Sequence, residues 1–184
     1  MAHIDLPEGL PGISGPLAQY PETAQHLLGL AQVLLRGPSS LTPQERELIA
    51  VHVSNLNECE FCVESHSAAA RFMLGPAAQT VDLVRVEGDR APVSPKLRAL
   101  LTIAGKVQGG GRSVTEAEVA AARAEGADDQ AIHHTVLIAA AFCMYNRYVD
   151  GLATWLPPDV DAYREMGESL GTHGYTPTAM ANGS

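Results

Sequence analysis

Hydrophobic positions recur at helical spacing along almost the whole chain. Apolar residues fall three or four positions apart, and no stretch shows the strict alternation of a half-buried strand or the turn residues of a hairpin. The pattern therefore predicts an all-α fold, a compact helical domain of about seven helices. The predicted helices lie at residues 17–36, 43–56, 59–74, 77–86, 94–108, 115–125 and 129–154.

Capping and stop signals support these boundaries. Thr42 stands three residues before Glu45, and Thr115 stands three before Glu118, which is the spacing of a capping box at a helix start. Asp128 can cap the last and longest predicted helix in the same way. Glycine and proline residues interrupt the helical pattern at 37–38, 75–76, 109–111 and 157–158.

The two ends of the chain differ from its middle. Residues 1–16 contain three prolines and three glycines, a composition that predicts an extended N-terminal arm lying on a surface. Residues 171–184 resemble the arm in composition, and we expect a mobile C-terminal tail there. The predicted organisation is one helical domain at 17–170 between these two segments.

Composition and charge exclude several classes of partner. The chain has 184 residues, of which 46% are hydrophobic, enough to fill one core. A net charge of -9 without a run of Lys or Arg predicts no nucleic-acid partner and no membrane surface. The longest apolar run, 136–145, is about half of a membrane span, and the N-terminus lacks a secretory pattern, so we expect a cytoplasmic protein.

Two cysteines and a histidine form the most informative motif. Cys59, Cys62 and His66 have positions i, i+3 and i+7, which share one face of a helix, with Cys62 in the centre. A thiol next to a second thiol and an imidazole is suited to peroxide reduction or disulfide exchange. Glu47 lies on the preceding predicted helix and can reach this face across a helical hairpin. The alternative for Glu47 is an ordinary surface carboxylate.

Other interpretations of the motif are weaker. In a zinc site Cys59 and His66 would both bind one ion at about 2 Å. These residues are about 10 Å apart along a helix axis, too far for both bonds to form. We therefore expect no metal. Three unconnected core residues are the other alternative. The unpaired N–H groups at the helix start favour Cys59 as the nucleophile, whereas the neighbouring imidazole of His66 favours Cys62. We prefer Cys62, because water does not screen its interaction with a buried imidazole. Cys143, in the apolar run, is expected to be a buried, inert thiol.

The exact spacing Glu-x11-Cys-x2-Cys-x3-His resembles the signature of the alkylhydroperoxidase D-like proteins within the carboxymuconolactone decarboxylase family. Residues 46–51, 57–59 and 146–152 are similar to that family as well, and the resemblance covers roughly residues 20–156. It implies an all-helical homo-oligomer with peroxidase activity. It also implies that Cys62 attacks peroxide, Cys59 resolves, and Glu47 acts as the base through His66 or a bound water. Phe61 stands where the best-studied members have an additional histidine.

The predicted function is a thiol peroxidase that reduces hydroperoxides with no bound cofactor. A dithiol reductant or adaptor protein would recycle the Cys59–Cys62 disulfide. Two alternatives belong to other classes: a thiol–disulfide reductase or adaptor that never meets peroxide, and a non-enzymatic helical oligomer.

Overall fold

The protein is all-α in the computed structural model, which describes residues 2–175. No strand occurs among these residues, so the predicted fold class is confirmed. No helix in this part of the chain has the length and apolarity needed to cross a bilayer. The nine α-helices within residues 2–175 are α1 (Ser14–Gln19), α2 (Pro21–Arg36), α3 (Pro43–Leu56), α4 (Glu60–Leu74), α5 (Gln79–Glu87), α6 (Pro95–Gly109), α7 (Glu116–Ala124), α8 (Asp129–Gly151) and α9 (Val160–His173).

Helix α3 lies at the centre of the fold. It packs against α4, α6 and α8, and residues 46–54 are buried without interruption. In its middle turns Ile49, Val51 and Val53 are completely buried, so no face of these turns meets water. Polar side chains on this helix must consequently find their partners inside the protein.

The predicted helix 17–36 is two helices in the structure. Pro21 has no N–H group and disfavours helical backbone at the preceding residue, and Tyr20 accordingly has φ -126° and ψ 73°. The chain therefore bends at Tyr20 between α1 and α2. Because α1 begins at Ser14, the last three residues of the predicted arm, 14–16, are helical.

Helix α9 was absent from the sequence prediction, and together with the division of the predicted helix 17–36 it accounts for the count of seven instead of the nine helices of residues 2–175. Asp159 caps it by accepting a hydrogen bond from the Asp161 N–H group, and Tyr163 and Gly167 face the interior. The helix continues to His173, beyond the start of the predicted tail at residue 171, and Tyr175 is buried. The rest of that tail, residues 176–184, lies outside the described residues, as does Met1.

A tight turn joins α3 to α4 and brings the motif cysteines against the core. Glu58 adopts a positive φ of 58°, and Cys59, with φ -84° and ψ 95°, is the N-cap residue of α4. The helix itself starts at Glu60, one residue later than predicted. Cys62 is therefore the third residue of the helix, and His66 lies about one turn further on.

Helix α9 approaches α4 closely because glycines line its inner face. A Cβ atom at Gly167 would lie 2.4 Å from the carbonyl carbon of Ala68, and one at Gly171 would lie 2.4 Å from the ring of Phe72. Any side chain at residue 167 would push the two helices apart. This close packing fixes where the end of α9 lies.

We expect Gly167→Ala to lower the free energy of unfolding by about 1 to 3 kcal/mol, the usual cost of overpacking a close contact. The matched control is Gly29→Ala in the middle of α2, where a Cβ atom meets nothing within 4 Å. That control should be stabilised by about 0.5 to 1 kcal/mol. Urea unfolding of both variants measures the difference, and equal stability of the two would contradict the packing argument.

Candidate active site

Glu47 is completely buried on α3 and three side chains contact its carboxylate. Oε2 lies 2.7 Å from Nδ1 of His66, and Oε1 lies 2.7 Å from both the Arg36 guanidinium and the Tyr175 hydroxyl. The surface alternative for Glu47 is therefore wrong. Burial opposes the charge, but His66, Arg36 and Tyr175 outweigh it and hold the pKa of Glu47 below its ordinary value. The carboxylate is ionised at neutral pH.

The ring of His66 is fixed in orientation. Because an ionised carboxylate only accepts hydrogen bonds, Nδ1 of His66 donates its proton to Glu47, and Nε2 is left to accept one. Phe142 packs edge-on against the imidazole with ring centroids 4.6 Å apart, and Tyr175 stacks on it with ring centroids 5.9 Å apart. These contacts hold the ring in the orientation that a general base requires.

The two motif thiols are reduced, buried and electrostatically unequal. Cys59 has no exposed surface and Cys62 is 3% exposed. The hydrogen bond from Cys59, assisted by His66 and Asn146, lowers the pKa of Cys62 against the opposing effect of burial. The same hydrogen bond together with burial raises the pKa of Cys59. Cys62 is therefore the thiol that ionises more readily.

A cavity of about 310 Å³ adjoins Cys62. Cys62 and His66 open onto it from α4, and its remaining walls come from α1, α2, α8 and the end of α9. Most of the lining is apolar, including Leu17, Leu27 and Leu170. The cavity can hold a small, largely apolar molecule beside the sulfur of Cys62.

Phe61, the residue that departs from the best-studied family pattern, packs in an apolar environment. Its ring lies 6.1 Å from that of Tyr163, and a Cβ atom at Gly12 would be 2.3 Å from it. Phe61 thus holds the N-terminal arm against the cysteine turn and has no proton to transfer. His66 is the imidazole that the structure brings to Cys62.

Sequence reasoning missed three polar partners of this site. Arg36 and Tyr175 carried no local signal, because they meet Glu47 only in the folded chain. Asn146 lies in the segment 146–152 that resembles the family but was not among the predicted site residues. It is fully buried, accepts a hydrogen bond from the Asn57 amide at 2.7 Å and donates one to the Ser54 hydroxyl at 3.1 Å. A buried amide in an otherwise apolar helix was the available signal.

The other candidate groups lie apart from this chemistry. Cys143 is half-buried, 3.6 Å from the amide nitrogen of Asn57, and so less buried than expected. Across residues 2–175 no three His, Cys, Asp or Glu side chains are placed to hold a metal ion. The site is built from the Cys59–Cys62 dithiol, the His66 imidazole and the buried Glu47 carboxylate, and the Asp150 carboxylate, within hydrogen-bond reach of Cys59, adds to the rise in the pKa of that thiol.

Comparison with known proteins identifies the family and the fold. The model of the carboxymuconolactone decarboxylase family matches residues 21–89, which run from α2 to just beyond α5 and include Glu47, Cys59, Cys62 and His66. An alkylhydroperoxidase AhpD core structure, an uncharacterized peroxidase-related protein from Ralstonia eutropha JMP134, is 30% identical with a TM-score of 0.75. That similarity covers 86% of this chain and 81% of the other. The chain belongs to the carboxymuconolactone decarboxylase family.

Two further structures extend the comparison. An uncharacterized peroxidase-related protein from Silicibacter sp. TM1040 is 26% identical, with a TM-score of 0.76 over 89% of this chain and 94% of the other. A protein of unknown function from Agrobacterium tumefaciens is 22% identical, with a TM-score of 0.68 over 78% and 97%, and shares the fold. No curated protein matches the sequence. Within the family, the chain has the alkylhydroperoxidase D-like architecture.

We expect iodoacetamide at pH 7 to modify Cys62 at least about tenfold faster than Cys59, since alkylation requires the thiolate and the two pKa values are displaced in opposite directions. Tandem mass spectrometry of the fragment that contains both cysteines assigns the modified sulfur. Faster modification of Cys59 would reverse the assignment of the two thiols.

Glu47→Gln should lower the free energy of unfolding at pH 7 by about 3 kcal/mol, because Arg36 then loses its buried partner. The folded-state pKa of Glu47 lies below its ordinary value of 4.5, so the advantage of the native protein is complete above pH 4.5. It disappears as the pH falls through the folded-state pKa. Urea unfolding across this range measures it, with the exposed Glu165→Gln as control. A pH-independent difference would contradict the ion pair.

Proposed function

We propose that this protein is a thiol-dependent peroxidase that reduces hydroperoxides through a Cys59/Cys62 dithiol–disulfide cycle. One observation carries the proposal: Cys62 opens onto the cavity together with His66, whereas Cys59 is not among the lining residues. The surroundings also lower the pKa of Cys62. Cys59 lies behind it without exposed surface. This arrangement supports a division of labour in which Cys62 meets the substrate and Cys59 meets only Cys62.

The first step is a two-electron transfer to the peroxide. Nε2 of His66 takes the proton of Cys62, and the thiolate attacks the outer oxygen of the hydroperoxide. The O–O bond breaks, an S–O bond forms, and the alkoxide takes the proton from His66 to leave as an alcohol. Cys62 is left as a sulfenic acid.

The second step closes the disulfide. The Cys59 thiol displaces the hydroxyl of the Cys62 sulfenic acid, an S–S bond forms, and water leaves. The two cysteines are three positions apart, about one helical turn, and this spacing supports a Cα–Cα distance within the range of about 4.4 to 6.8 Å that disulfides span. A partner dithiol then reduces the disulfide by thiol–disulfide exchange and becomes a disulfide itself.

Glu47 serves this cycle as a positioning residue. Its two oxygens are occupied by Arg36, Tyr175 and His66, and it has no exposed surface through which a peroxide could reach it. Its charge holds the proton on Nδ1 of His66 and stabilises the imidazolium that forms when Cys62 ionises. It therefore acts through His66.

The burial of the sulfurs favours a peroxide over a protein disulfide as the oxidant. Cys62 is 3% exposed, so in this conformation only a molecule that fits the cavity can reach it. A protein disulfide would require the cavity wall to open before the first step, whereas a peroxide requires such an opening only later, when the partner dithiol reduces the Cys59–Cys62 disulfide. The partner dithiol and the homo-oligomer stay predictions from the sequence.

Rapid-mixing oxidation with an organic hydroperoxide tests the function. Cys62→Ser should abolish peroxide consumption, whereas Cys59→Ser should give one equivalent and stop at a sulfenic acid on Cys62, detectable by dimedone labelling. Cys143→Ser is the control and should behave as the native protein. In the native protein, thiol counting should show two thiols lost.

The outcomes separate the proposal from its alternatives. A burst retained in Cys62→Ser and lost in Cys59→Ser would reverse the two assignments. A native protein that is inert to peroxide but is oxidised by a protein disulfide would be a reductase or adaptor. Inertness to both oxidants would leave a non-enzymatic helical protein.

A further inference from the structure

The chain beyond α9 turns back into the active site. The Tyr175 N–H group donates to the side-chain oxygen of Gln32 at 2.7 Å, and the Gly174 N–H group donates to the Leu170 carbonyl at 3.0 Å. Arg36 donates to the same carbonyl at 3.1 Å. These bonds anchor the end of α9 to α2, directly beside Glu47.

Gly174 makes this turn sterically feasible. Its φ of +71° belongs to the left-handed region, and a Cβ atom there would lie 2.5 Å from the side-chain oxygen of Gln32. A side chain at 174 would strain the backbone and would displace the Gln32 side chain that accepts the hydrogen bond from the Tyr175 N–H group. Tyr175 therefore depends on this glycine for its position.

The side chain of Tyr175 contacts the charged groups of the site. Its hydroxyl is 2.7 Å from Oε1 of Glu47 and 3.1 Å from Nδ1 of His66, and its ring is nearly parallel to the imidazole, at 15°. The Arg36 guanidinium lies over the same ring, 5.0 Å from its centre. Only 9% of Tyr175 is exposed, and its ring covers the face of the imidazole on which it stacks.

We propose that Tyr175 is a positioning residue of the active site, which sets the orientation of the Glu47 carboxylate and through it the proton-accepting nitrogen of His66. The inference rests on the proposed function for its purpose. It goes further in assigning a role to a residue near the C-terminus, outside the Glu–Cys–Cys–His motif.

The argument follows from the two carboxylate oxygens. Arg36 and Tyr175 both donate to Oε1, which leaves Oε2 directed at Nδ1 of His66. Without the hydroxyl, Oε1 keeps one donor and a water-sized gap opens beside the ion pair. Water in that gap weakens the attraction between the imidazolium and the Cys62 thiolate, because screening grows with the local dielectric. Cys62 should then ionise at higher pH.

Tyr175→Phe removes the hydroxyl and retains the ring. We expect the pH of half-maximal alkylation of Cys62 to rise by about one unit. At pH values below the native midpoint, alkylation should then be about tenfold slower than in the native protein. Tyr20→Phe is the matched control, since its 39% exposed side chain lies between α1 and α2. It should reproduce the native pH profile. Circular dichroism and thermal unfolding verify that both variants are folded.

A second pair of variants, one substitution and its control, tests the position of Tyr175 without changing the tyrosine itself. Gly174→Ala should give the same upward shift. Gly126→Ala imposes a comparable backbone strain at φ +89°, with nothing within 4 Å of the added Cβ atom, and should leave the profile unchanged. A native profile in folded Tyr175→Phe, or a downward shift, would overturn the proposal.

Alkylation distinguishes this proposal from the proposed function because it needs no peroxide. A shifted profile in a protein that does not reduce peroxide would sustain the positioning of His66 by Tyr175 and refute the peroxidase. Peroxide reduction by the native protein, together with an unshifted alkylation profile in Tyr175→Phe, would sustain the peroxidase and refute the positioning role of Tyr175.

Discussion

The arrangement of the site depends on the burial of one charged carboxylate. Glu47 has no contact with water, and its charge is compensated by side chains from three places in the chain: Arg36 of α2, His66 of α4 and Tyr175 beyond α9. An uncompensated buried charge costs several kcal/mol, so the three elements are held in register by the same interaction that orients His66. Stability and reactivity are therefore coupled at this point.

The two cysteines show how one turn of helix can separate two identical groups chemically. Cys59 stands at the N-cap with extended backbone, and Cys62 follows inside the helix where His66 and Asn146 act on it. Mutual hydrogen bonding lowers the pKa of one thiol and raises that of the other. The Cys62 sulfur is consequently suited to nucleophilic attack, and the Cys59 sulfur is suited to remain a protonated thiol.

Local signals in the sequence account for most of the fold. The capping boxes at Thr42 and Thr115 and the cap at Asp128 are all present, and α3 to α8 begin and end within a few residues of their predicted limits. The break at Tyr20 could have been read from Pro21. Helix α9 was missed because its glycines, which let it approach α4, resemble loop residues in a sequence.

The sequence predicted the four motif residues of the site but not the residues that contact Glu47. Spacing along one helix brought Cys59, Cys62 and His66 together, and a hairpin brought Glu47 near them. No local pattern connects these four residues to Arg36 or Tyr175, since those contacts form only when α2 and α9 dock. Such pairings depend on tertiary packing, which periodicity does not encode.

The position of Tyr175 has a consequence for the order in which the protein is made. Its hydroxyl meets Glu47 across 128 residues of chain, and synthesis proceeds from the N-terminus. A nascent chain that already contains α3, α4 and both motif cysteines still lacks one of the three partners of its buried carboxylate. The thiol pair is thus complete as a piece of sequence long before its surroundings are, and its final electrostatic environment is among the last features of the molecule to assemble.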